Sequence, residues 1–136
     1  MRPATLCEAA LRDAMGHGGN ALAEFLDEFY TAPTDAARRA MLADEPAKGA
    51  DRRNDALLGA IAEYLTKQYR LGTPPAWASD PWRSLPEPWH TTSAPTPGII
   101  EYLTFASPGE FKHRNIFTDD APLQRARRPR ETAGGG

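Results

Sequence analysis

The chain has 136 residues, 40% of them apolar and 25% charged, with a net charge of −2. That is one domain's length, enough to bury roughly two-thirds of the unfolded chain's surface. A single cysteine, Cys7, excludes an intrachain disulfide and a zinc site of the usual cysteine type. No segment reads as a signal peptide or approaches the ~20 apolar residues of a membrane span, so the expected location is the cytoplasm, with no membrane partner.

The predicted elements are mostly helical. Residues 4–15 read as a first helix, with Leu6, Ala10 and Leu11 at helical spacing, stopped by the glycines of GHGGN. Asn20 is suited to cap a second helix, ALAEFLDEFYTA, whose apolar face is Leu22, Phe25, Leu26 and Phe29. Its other face carries Glu24, Asp27 and Glu28, and Pro33 breaks it. Thr34 caps a third helix, with Ala37, Met41 and Leu42 on its apolar side and Pro46 ending it. After a loop, residues 51–70 form a long fourth helix with a broad stripe of Leu57, Leu58, Ile61, Tyr64, Leu65 and Tyr69, the expected centre of the core.

Past Gly72 the pattern changes. Most of the 13 prolines fall after residue 73, and residues 73–98 hold all three tryptophans. Proline at this density forbids regular helix or central strand. Each tryptophan can bury on the order of 200 Å². The segment therefore reads as an irregular strap pinned to the helices by Trp77, Trp82 and Trp89. A fifth helix, IIEYLTFA, runs to about Ala106. Ser107 and Pro108 read as the N-cap and first residue of a short sixth segment that turns Phe111 inward, and residues 119–126 as a last turn. The expected fold is mainly α: a small helical bundle wrapped by a Pro/Trp-rich strap over residues 1–126, with 127–136 a disordered basic, glycine-rich tail.

No catalytic constellation stands out. His17, His90 and His113 have no carboxylate or cysteine at ligand spacing, and Cys7 sits among Ala and Leu as a small core hydrophobe. GHGGN lacks the lysine and the preceding strand of a phosphate loop. The chain is thus read as a non-enzyme without cofactor or metal; a small enzyme using His90 or His113 is the remote alternative. Residues 1–50 hold five basic and eight acidic side chains, residues 109–136 six and four. Glu24, Asp27 and Glu28 are an acidic docking face for a basic partner, or a solvated helix face. Lys112 and Arg114, with Arg125, Arg127, Arg128 and Arg130 beyond, are the basic counterpart: contacts to a partner or to nucleic acid, or helix-end charges. Between Phe111 and Ile116-Phe117, Arg114 can also satisfy helix C-terminal carbonyls, and Asn115 can take the left-handed conformation that ends a helix.

The order EYLTKQYRLGTPPAW, DPWRSLPEPW, EYLTFASPGEFKHRNIF and LQRA resembles a family of small bacterial proteins encoded beside nucleotidyltransferase-like genes of toxin–antitoxin type. That family runs through a helix with Tyr-Leu, Pro-x-Trp, Leu-x-x-Pro-Trp, a helix ending in Ser-Pro, Phe-Arg-x-Arg-Asn-Ile-Phe and Arg-Ala. Over residues 51–126 the matching positions are Pro75, Trp77, Leu85, Pro88, Trp89, Ser107, Pro108, Phe111, Arg114, Asn115, Ile116, Phe117, Arg125 and Ala126. Lys112 stands where the family often has Arg, and His90 where an aromatic is common. The resemblance implies an antitoxin or accessory subunit that binds a nucleotidyltransferase-like toxin. Some relatives carry an N-terminal helix-turn-helix; residues 1–50 do not look like one, which argues against repression by DNA binding. A nucleic-acid-binding regulator using the basic C-terminal segment is the alternative.

Overall fold

A computed structural model describes residues 5–14, 21–49, 51–92, 96–119 and 123. Six α-helices follow in order: α1 (Leu6–Ala14), α2 (Ala21–Tyr30), α3 (Asp35–Ala43), α4 (Arg52–Gln68), α5 (Pro97–Ala106) and α6 (Gly109–Lys112). The mainly helical architecture is the expected one. His17, the Asn20 cap and the tail beyond Leu123 lie outside the described residues.

Local chemistry sets the helix ends. Thr5 and Glu8 form a reciprocal capping box at α1, each side chain accepting the other's amide proton (3.0 and 3.1 Å). Thr34 caps α3 by accepting from Ala37 N–H, and Asp51 caps α4 by accepting from Arg53 N–H. At the far end of α4, Arg70 takes φ 53°, and the Leu71 amide donates to the Thr66 carbonyl at 2.9 Å. Only one expected apolar position falls on the wrong side. Leu11 is 60% exposed, because Leu6 and Ala9 line the buried face of α1.

Helix α4 is a wall with cores on both sides. One side joins Leu58, Ile61, Ala62 and Leu65 to Leu6, Phe25, Phe29, Met41, Leu42 and Trp77. The other uses smaller residues, Ala56 and Ala60, against Leu85, Phe111 and Ile116. The periodicity marks the first side; the second is built on alanine and glycine, which carry little hydropathic signal.

The strap is more regular than expected. It contains two 3₁₀ turns, Ala76–Ser79 and Pro81–Arg83, both packed on α4. It then enters a two-residue strand, β1 (Trp89–His90), paired in parallel with β2 (Ile116–Phe117) in the register Trp89 to Ile116 and His90 to Phe117. A parallel pair needs a crossover, and α5 and α6 supply it. The prolines permit this because each stands outside the pairing: Pro88 precedes β1, and the Trp89 amide still donates to the Asn115 carbonyl (2.8 Å).

Candidate functional site

Two arginines are buried to within 2% of the core phenylalanines, Arg83 at 0% and Arg114 at 2% exposure. Arg83 lies between the rings of Trp82 and Trp77, 4.0 and 4.7 Å from their centroids. It donates to the carbonyls of Pro46 (2.6 Å) and Asp55 (3.0 Å) and reaches Glu45 at 3.4 Å. Its Nε is buried without a partner. Burial pushes the guanidinium below its ordinary value, against the opposing pull of Glu45. Trp77 Nε1 in turn donates to the Leu42 carbonyl. Strap, loop and helix are therefore tied by one cation and two rings.

Arg114 performs the same task nearby. It donates to the carbonyls of Ala78 (2.5 Å) and Glu110 (2.7 Å) and to Glu63 Oε1 (2.6 Å). Gly59 lets both arginines approach α4. A Cβ there would lie 3.1 Å from Ala78 O, 3.2 Å from Arg114 Nε and 3.2 Å from Arg83 Cβ. Glu63 also meets His113 Nε2 at 2.7 Å and Lys67 at 3.3 Å. Burial raises the Glu63 carboxyl, but hydrogen bonds from Arg114 and His113 and the Arg114 charge outweigh it and hold the group at about 2.

These contacts correct one expectation. Arg114, placed among the partner contacts, is closed to a partner. Its donors serve backbone carbonyls and one carboxylate, the structural alternative also read from the sequence. Asn115 takes φ 66° as anticipated, and its side-chain amide holds the Leu85 carbonyl at 2.8 Å. Ser107 is displaced from its expected role. It closes α5 instead of opening α6, donating to the Leu103 carbonyl (2.7 Å) and accepting the Thr118 amide proton (2.6 Å). Pro108, extended at ψ 150°, takes the N-cap position of α6. Phe111 is buried against Tyr64 (5.5 Å), and Phe117 stacks on His90 (4.9 Å). Of the tryptophans, Trp77 is buried; Trp82 and Trp89 are half-buried beneath Lys48 and Arg53.

The other expected contacts stay on the surface but apart. Glu24 is exposed and pairs with Arg12 at 3.3 Å. Glu28 is exposed, Asp27 half-buried, and each has a partner. This trio rides on α2, which packs on α1, whereas exposed Lys112 rides on α6, which packs on α4. His90 Nε2 lies 3.1 Å from the Thr104 hydroxyl, tethering α5 to β1. Cys7 is half-buried, and burial followed by Asp44 and Glu8 raises its thiol above the ordinary value. Among the described residues no three His, Cys, Asp or Glu side chains converge as metal ligands. No described helix is long and apolar enough to cross a membrane.

Sequence reasoning missed Arg83, Glu63, Gly59 and the outer face of α5. The adjacency of Trp82 and Arg83 inside the strap was the available signal for the first. The last was legible only as an apolar run. Among the described residues, three of the four exposed large apolar side chains lie on α5: Ile99 at 37%, Tyr102 at 53% and Phe105 at 77%. No protein family, curated protein or solved structure that was compared matches the chain.

Proposed function

We propose that this chain is a binding protein that carries out no reaction of its own. The observation that carries the reading is the contrast between a second half locked by buried arginines and the helix it holds out, α5, whose Tyr102 and Phe105 stand in solvent. Fixed scaffolding that displays exposed aromatic side chains suits recognition: large rigid rings lose little entropy on docking and dominate interface energies. The histidines fit this reading. His90 and His113 hold a hydroxyl and a carboxylate of the framework, and the Thr104 hydroxyl facing His90 gives its own proton to the Ile100 carbonyl at 2.8 Å.

The partner proposed is a nucleotidyltransferase-like toxin, with this chain as its antitoxin or accessory subunit in the cytoplasm of a bacterium. Support comes from the strap and the Phe-Lys-His-Arg-Asn-Ile-Phe segment, which resemble the family encoded beside such genes. Co-expression with the product of an adjacent nucleotidyltransferase-like gene tests it. The expected result is a complex that survives purification and relief of growth inhibition. Absence of both sinks the reading.

A further inference from the structure

The outer surface of α5 has a geometry of its own. At 100° per residue, Gly98, Tyr102 and Phe105 (i, i+4, i+7) follow one line, with Ile99 beside them. A Cβ at Gly98 would meet nothing within 4 Å, so the line is a shallow notch followed by two exposed rings. This is the spacing with which one helix packs along another. Inward, α5 touches mainly β1 and β2, through buried Leu103 and the His90–Thr104 bond.

Charge and area say what can cover it. Between Arg83 and Lys112 the chain has no lysine or arginine, but it has Glu87, Glu101 and Glu110. Glu110 is paired with Lys67 at 3.6 Å, whereas Glu87 and Glu101 are exposed, and Glu101 flanks the ridge. The carboxyl end of α5, beside Phe105, adds the negative end of its dipole. Side chains of 150–250 Å² at these exposures present roughly 300–400 Å² of apolar surface. A stable dimer needs about 800 Å² from each partner. A second copy laid antiparallel across this face would also bring Glu101 towards its own equivalent.

We infer that α5 is the docking site for one amphipathic helix of a partner protein, with an apolar row on Gly98, Tyr102 and Phe105 and a flank of lysine or arginine toward Glu101. This rests on the binding-protein reading and gives it a place and a chemistry. Basic flanks match Glu101 and the carboxyl end of α5, and a single helix matches the small area. It forms one contact of a larger interface or a transient one alone.

The probe is a fluorescent amphipathic peptide of about five turns, leucine and alanine on one face and lysine on its flanks, titrated with the full chain. A glutamate-flanked version is the control. The lysine peptide is expected to bind, with affinity reduced about tenfold or more by Phe105→Ser or Tyr102→Ser. Circular dichroism and the urea midpoint of both variants are expected to match the parent. Glu101→Lys is expected to turn the preference toward the glutamate peptide. Binding untouched by Phe105→Ser overturns the proposal, as does equal affinity for the two peptides. Sedimentation showing a parent dimer that Phe105→Ser dissociates also overturns it, because a second copy is then the occupant. If a nucleotidyltransferase-like protein co-purifies with parent and Phe105→Ser chains alike, the binding reading stands and this site falls. If it never co-purifies while the lysine peptide binds through Phe105, the site stands and that partner falls.

Discussion

At the scale of single residues, Glu63 concentrates the electrostatics of the fold. Arg114, His113 and Lys67 all converge on its carboxylate, which is held at about 2 against an ordinary 4.5. A folded value below the unfolded one stabilises the native state at high pH. The contribution is complete above about 4.5 and drains away as pH falls toward about 2. Urea midpoints measured at descending pH should therefore drop across that window. Glu63→Gln should start lower at neutral pH and show a flatter acid limb. Parallel acid limbs for the two chains would place the acid sensitivity elsewhere. Asn115 and Phe111 were legible at this scale, since the left-handed turn and the inward ring are local properties. Glu63 was not, because the two groups that lower it most, Arg114 and His113, lie about 50 residues along the chain, beyond α6.

At the scale of elements, α4 shows why a helix can need glycine at its centre. Glycine there costs about 1 kcal/mol of helix propensity relative to alanine. Here the missing Cβ is the space in which Ala78 O, Arg114 Nε and Arg83 Cβ sit, all within 3.2 Å of where it would be. Gly59→Ala should thus lower stability by about 1–3 kcal/mol despite the propensity gain. Gly98→Ala, whose Cβ meets open space, should be neutral or slightly stabilising. Equilibrium urea unfolding of the two variants checks the pair, and a stabilised Gly59→Ala would refute the close approach. The sequence marked α4 as central by its large apolar residues. The second packing face, built on Ala56, Gly59 and Ala60, left no periodic hydrophobic signal.

At the scale of the whole molecule, Arg83 fastens the strap across the loop before α4 and onto α4 itself. Its hydrogen bonds reach Pro46 and Asp55, and its guanidinium stacks on two tryptophans. Arg83→Ala should orphan the Pro46 carbonyl, remove the second donor of the Asp55 carbonyl and empty the space between the rings, costing at least about 2 kcal/mol. Tryptophan fluorescence and far-UV circular dichroism followed through urea should both report the earlier transition. Arg83→Met, which restores bulk but no donors, should recover only part of it. An Arg83→Ala chain as stable as the parent would mean the strap holds by its rings alone.

The sequence by itself determined the helices, the Thr34 cap, the strap and its tryptophan anchor Trp77, and the turn at Asn115. Each is written in short-range spacing, side-chain branching or backbone preference. Only the tertiary structure decided that Arg114 is buried framework, that Ser107 closes α5, that β1 and β2 pair in parallel, and that α5 keeps its aromatic side chains in solvent. Those outcomes depend on which distant carbonyls, carboxylates and faces come together. An arginine reads the same in a sequence whether its partner is water or a backbone oxygen 36 residues away.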